Sequence, residues 1–119
     1  MDKNSENRVV QIADDVIAMI AQIATLEVEG MKSIGTLKQD LVQTITGKQV
    51  VRGIAVEIGE NEGEVSVSVK GIIQYGCKIK TVCKEVQEKV KSSIETMTGL
   101  RVMNVDVHII GVSFSDQKE

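Results

Sequence analysis

The chain has 119 residues, enough for one domain around one core. Its apolar share of 42% is ordinary, but with one Tyr, one Phe and no Trp the core must be aliphatic, and with no proline no rigid linker divides it. A net charge of −3 weighs against a general nucleic-acid binder, and no apolar run approaches the roughly 20 residues that span a bilayer, so these figures predict a cytoplasmic protein with no membrane span.

Residues 1–8 are polar, lack a signal-peptide layout and read as a flexible N-terminus. The periodicity then predicts a helix from about Ile12 to Leu26. Gln11, Asp14, Asp15, Gln22, Thr25 and Glu29 fall within a polar arc of about 100°, and the rest of the cylinder is apolar. Such a wide apolar surface calls for cover on two sides, from a sheet on one and from a second helix or another subunit on the other. Asp14 and Asp15 suit the first turn, where negative charge meets the positive end of the helix dipole, and no His or third acid joins them to suggest a metal or catalytic pair.

Gly30 is the expected left-handed stop of this helix, and Met31 to Ile34 fits a short strand. Thr36 and Gln39 have capping-box spacing, and Leu37, Leu41 and Ile45 recur every four residues, which predicts a short helix over Leu37 to Thr46. Gly47-Lys48 is not a phosphate loop, since Val42 stands where that motif needs glycine. A hairpin follows. Val51 to Ile58 alternates, the turn is Gly59 to Gly63, and Val65, Val67 and Val69 alternate with Ser66 and Ser68 on the return strand. After a tight corner over Tyr75, Gly76, Cys77 and Lys78, a long helix runs from Ile79 to Thr98 with one stripe of Ile79, Val82, Cys83, Val86, Val90, Ile94 and Met97. Glu85 and Lys89 form a favourable i,i+4 pair on its back. Gly99 is its stop. The last strand, Arg101 to Ile110, turns Val105, Val107 and Ile109 inward and Asn104, Asp106 and His108 outward, with Val112 and Phe114 as its extension and 115–119 as a polar tail.

The order is α-(α)-β-β-α-β: an α+β domain over residues 9–114, with a small three- or four-stranded mixed sheet and two long helices packed on one face. The strand-helix-strand step should be a right-handed crossover.

No catalytic constellation is legible. His108 is the one histidine and lies on a strand's polar face, and no G-x-S-x-G nucleophile elbow occurs. Cys77 and Cys83 are six apart, which suits neither a CxxC redox pair nor zinc; they read as reduced cysteines, at least one of them buried. Neither a metal nor a cofactor is implied. One charge feature stands out. Between Lys70 and Lys84 there are four lysines, Lys70, Lys78, Lys80 and Lys84, and no acid. Together with Tyr75 and Gly76 they bracket the corner and the start of the long helix, where a partner protein or an anion could dock; a solvated lysine edge that discourages strand aggregation is the simpler account. No G-x-x-G loop of the KH type is present, and nothing suggests an aromatic platform for bases.

Three motifs occur in fixed order: Val16-Ile17 with Ile23-Ala24 leading to Glu27-Val28-Glu29-Gly30-Met31; Glu64-Val65-Ser66-Val67 leading to Tyr75-Gly76 and Ile79; and Val86-Gln87-Glu88-Lys89-Val90 followed by Met97-Thr98-Gly99-Leu100 and Val105-Asp106-Val107-His108. In this order the chain resembles the alkaline-shock-protein (general stress protein) family of Gram-positive bacteria, over about residues 9 to 114. The resemblance implies a small non-enzymatic cytoplasmic protein, a homo-oligomer connected with envelope stress or lipid metabolism, near the membrane through a separate membrane-anchored protein, and without established catalytic residues. Two positions depart from the family pattern: Lys80 stands where proline is frequent, and the segment after Gly30 is helix-like rather than glycine-rich. The expected function is therefore self-association and docking on such a partner. The alternative is a small RNA- or anion-binding module at the Lys70 to Lys84 corner, and a third reading is an enzyme or ligand carrier with a pocket between sheet and helices.

Overall fold

The computed structural model describes residues 11–34, 49–51 and 53–114. Within them α1 (Asp14–Leu26) leads to β1 (Met31–Ile34), and β2 (Gln49–Val51) and β3 (Ile54–Ile58) lead to β4 (Glu64–Gln74), α2 (Ile79–Thr98) and β5 (Arg101–Ser113). The expected helix over Leu37 to Thr46 and the two terminal segments lie outside the described residues.

β4 is the centre of the sheet. β5 runs parallel along one edge of it, from Glu64↔Arg101 to Gln74↔Ser113. β3 runs antiparallel along the first half of its other edge (Ile58↔Val65 to Ile54↔Val69), and β1 takes the second half of that same edge (Ile34↔Gly71 to Met31↔Ile73). β2 adds outside β3. The sheet is thus mixed and at most four strands wide, with β1 in line with β3. Both helices cover one face, α1 over β1, β2 and β3, and α2 over β5. The core is aliphatic, as the composition requires. Val65, Val67, Val69 and Ile73 of β4 meet Ile54 and Val56 of β3, Val102 and Val105 of β5, Ile17, Ala21 and Ala24 of α1, and Val82, Val86, Val90 and Ile94 of α2.

Several local details differ from the sequence reading. The alternating run from Val51 to Ile58 is two strands, because Gly53 takes a positive φ of 86° and folds Val51 back onto Ile54. α1 starts at Asp14, and its C-cap is Glu27 in the right-handed region. Gly30 does adopt a positive φ, 101°, but in the turn that enters β1. A Cβ there would lie 2.8 Å from Val82 Cγ2 and 3.0 Å from Cys77 Sγ, so glycine is needed both for the conformation and for the approach of α1's end to α2. Gly99 is the left-handed stop of α2 (φ 77°), with its N–H donating to Glu95 O at 3.0 Å. Lys89 pairs across the helices with Glu27 at 3.2 Å instead of along its own helix with Glu85. Finally, β5 carries Met103 and Ile110 as extra residues opposite β4, so it is bulged twice.

Candidate interaction surfaces

The corner between β4 and α2 is tied to the neighbouring strand. Tyr75 N–H donates to Ser113 O at 2.9 Å, Cys77 N–H donates to Gln74 O at 3.2 Å, and Gly76 has φ 95°. Lys78 is the N-cap of α2, without a side-chain cap, and the first turn carries no acid. The parallel register that ends at Gln74↔Ser113 brings Tyr75 beside Phe114, and their rings stack with centroids 4.8 Å apart and planes at 23°. Both are exposed, at 65% and 73%. The sequence did not suggest an aromatic platform, because these rings are far apart in the chain; the register of β5 was the missing information.

The lysines are dispersed. Lys70 is on the sheet face away from the helices, opposite His108. Lys78 borders a surface cleft of about 370 Å³ that it shares with Glu29 and Glu85. Lys80 and Lys84 stand two helical turns before Gln87 and Lys91, whose side chains reach Val105 O (3.1 Å) and Val102 O (3.3 Å), so they occupy the β5 flank of α2. The structure gathers Tyr75, Gly76 and Lys78 and sets Lys70, Lys80 and Lys84 on other surfaces. Asp106 and His108 share the outer sheet face, and no group of three metal-ligating side chains occurs among the described residues. Burial pushes the Cys83 thiol up from its ordinary value, which disfavours the nucleophilic thiolate.

The more distinctive surface is on α1. Thr25, expected on the polar arc, is fully buried and donates its hydroxyl to Ala21 O at 2.7 Å. Conversely Val16, Met19, Ile23 and Leu26 are exposed, Met19 at 55% and Ile23 at 54%. Their 3-4-3 spacing makes one row on the side of the helix away from the core. The back of α1 is therefore apolar, and the two sides that the sequence reading wanted covered are not both covered by the described residues.

The model of the alkaline-shock-protein family, described as having a cell envelope-related function, matches residues 2–114. The chain belongs to this family. The uncharacterized protein YloU of Bacillus subtilis is 33% identical over 107 residues, which cover 87% of each chain. The uncharacterized protein YqhY of the same organism is 27% identical over 111 residues, covering 92% of this chain and 81% of its own. Among solved structures, the MamM-CTD H285A variant overlaps 83% of this chain and 98% of its own, at 8% identity and a TM-score of 0.49. Membership of the alkaline-shock-protein family places the protein in a cell envelope-related context. No helix among the described residues is long and apolar enough to cross a membrane.

Proposed function

We propose that this member of the alkaline-shock-protein family is a non-enzymatic assembly and docking protein of the cytoplasm. It self-associates through the outer row of α1 and docks on a membrane-anchored protein of the envelope. The observation that carries the reading is the row Val16, Met19, Ile23 and Leu26, apolar and exposed on the back of a helix whose other side is already packed. Surface helices of globular domains turn polar residues to water, and a seam of this spacing is what a second helix packs against. The family's envelope-related description supports membrane proximity, and the docking partner supplies the attachment.

The test is Met19→Glu with Ile23→Glu. Both side chains already contact solvent, so the fold is retained by circular dichroism, and the mass in solution falls to that of one chain. An assembly mass unchanged in the double variant overturns the α1 interface.

The anion- or RNA-binding alternative draws support from the stacked, exposed Tyr75 and Phe114, since aromatic faces can stack bases. It is weakened by the dispersal of Lys70, Lys80 and Lys84 and by the acids Glu29 and Glu85 beside Lys78.

A further inference from the structure

β5 is an edge strand: among the described residues β4 is its one strand neighbour. Half of its free edge is closed by α2. Val102 N–H donates to Glu95 Oε2 at 3.0 Å, Val102 O accepts from Lys91 Nζ, and Val105 O accepts from Gln87 Nε2. Gln87, Lys91 and Glu95 are spaced four apart, so a single row of α2 side chains stands in for the missing strand. Arg101 and Ser113, by contrast, direct backbone groups toward the β4 side, to Gly63 O and from Tyr75 N–H. With the bulges at Met103 and Ile110 counted, alternation turns the N–H and C=O of Val107, Ile109 and Val112 to the free side as well.

Nothing among the described residues closes that second half. The α2 row that caps Val102 and Val105 continues toward Cys83 and Ile79, which have no strong donor or acceptor to offer a backbone. β5 also outruns the helix. Thirteen strand residues span about 43 Å and twenty helical residues about 30 Å, so the end of the ribbon projects by roughly 10 Å. Val107 and Ile109 are accordingly half-buried, and Val112, paired with the buried Ile73 and so on the face that should be core, is 43% exposed. Beside this strip stand Lys80 and Lys84, exposed and without an acidic partner among the described residues.

We propose that the open half of the β5 edge, Val107 to Val112, is a strand-addition site for a short extended segment of a partner protein, apolar at its centre and flanked by Asp or Glu. The partner's backbone pairs with the free groups of Val107, Ile109 and Val112. Its apolar side chains cover the strip that α2 leaves open, and its acids meet Lys80 and Lys84. A bulged edge with lysines beside it resists flat self-pairing, which favours a dedicated partner over a second copy. The proposal rests on the docking half of the function above and identifies what docks.

The probe is a synthetic peptide, Glu-Glu-Val-Thr-Val-Thr-Val-Glu-Glu, titrated into the full chain while amide exchange is followed by NMR. Without peptide, the Val102 amide is protected and those of Val107, Ile109 and Val112 exchange fast. Saturating peptide slows these three by about tenfold or more. The same peptide with Lys for Glu binds about tenfold more weakly, and Lys80→Glu with Lys84→Glu reverses that preference. Met19→Glu with Ile23→Glu leaves peptide binding intact, so a failure of α1 assembly and a failure of strand addition are read separately. No binding at millimolar peptide overturns the proposal, as does equal binding of a form N-methylated at its pairing amides. Protection of Val107, Ile109 and Val112 that rises with protein concentration alone also overturns it, because a second copy would then be the occupant.

Discussion

Gly30 and Glu95 hold the two joints of the molecule, and each makes a prediction. At Gly30, any Cβ meets Val82 and Cys77 while the backbone sits at a positive φ. Gly30→Ala should cost about 1–3 kcal/mol in denaturant unfolding, from conformational strain together with displacement of α2; a loss below a few tenths of a kcal/mol would show that the joint is slack. At Glu95, the Val102 N–H, with help from Lys91 and Arg101, holds the carboxyl below its ordinary range. A depressed folded-state value stabilises the fold at pH above the unfolded carboxyl value, and this stabilisation is lost as pH falls through the folded value. Wild-type stability should therefore drop on acidification below the ordinary carboxyl value of about 4.5, and Glu95→Gln should flatten that drop in urea midpoints taken across the acid range. Equal acid sensitivity in both proteins would contradict the assignment. The sequence marked Gly30 as special but not its contact with Val82, and it held no sign of the bond from Val102 to Glu95, since both depend on how α2 lies over its neighbours.

At the scale of elements, β4 and α2 were legible to the residue, and β5 was legible in its start but not in its two bulges or its end at Ser113. Each is long and its inner positions are mostly Val or Ile, so one reading fits. Val86 is fully buried at the centre of the α2 stripe, and Val86→Asp places an unpaired charge in the aliphatic core. Burying that charge costs several kcal/mol against a total of about 5–15 kcal/mol for a domain, so the variant should lose its cooperative thermal transition; an unchanged melting curve would contradict the burial of this face of α2. The ends of the stripe were less legible. Ile79 and Met97 fit the period but are exposed, one at each end of the helix. α1 was legible as a helix and not in its orientation. Its polar arc and its apolar remainder both contain small residues, and Thr25 is able to satisfy its own hydroxyl against Ala21, so hydropathy did not decide which side faces the core.

For the whole molecule, the fold class follows from the order of elements, and what remained hidden were relations between elements distant in the chain: Tyr75 against Phe114, the Gln87-Lys91-Glu95 row against β5, and the back of α1 against water. All three lie at the surface, whereas in the interior the main departure was Thr25, buried against Ala21 instead of facing water. We propose that the apolar back of α1 is the surface through which the chain assembles. The measurement that tests it most directly is mass in solution by light scattering, from low micromolar to several hundred micromolar protein, with and without reductant. The account predicts a mass above that of one chain, rising with concentration and insensitive to reductant. A mass of 12.9 kDa at every concentration would contradict it.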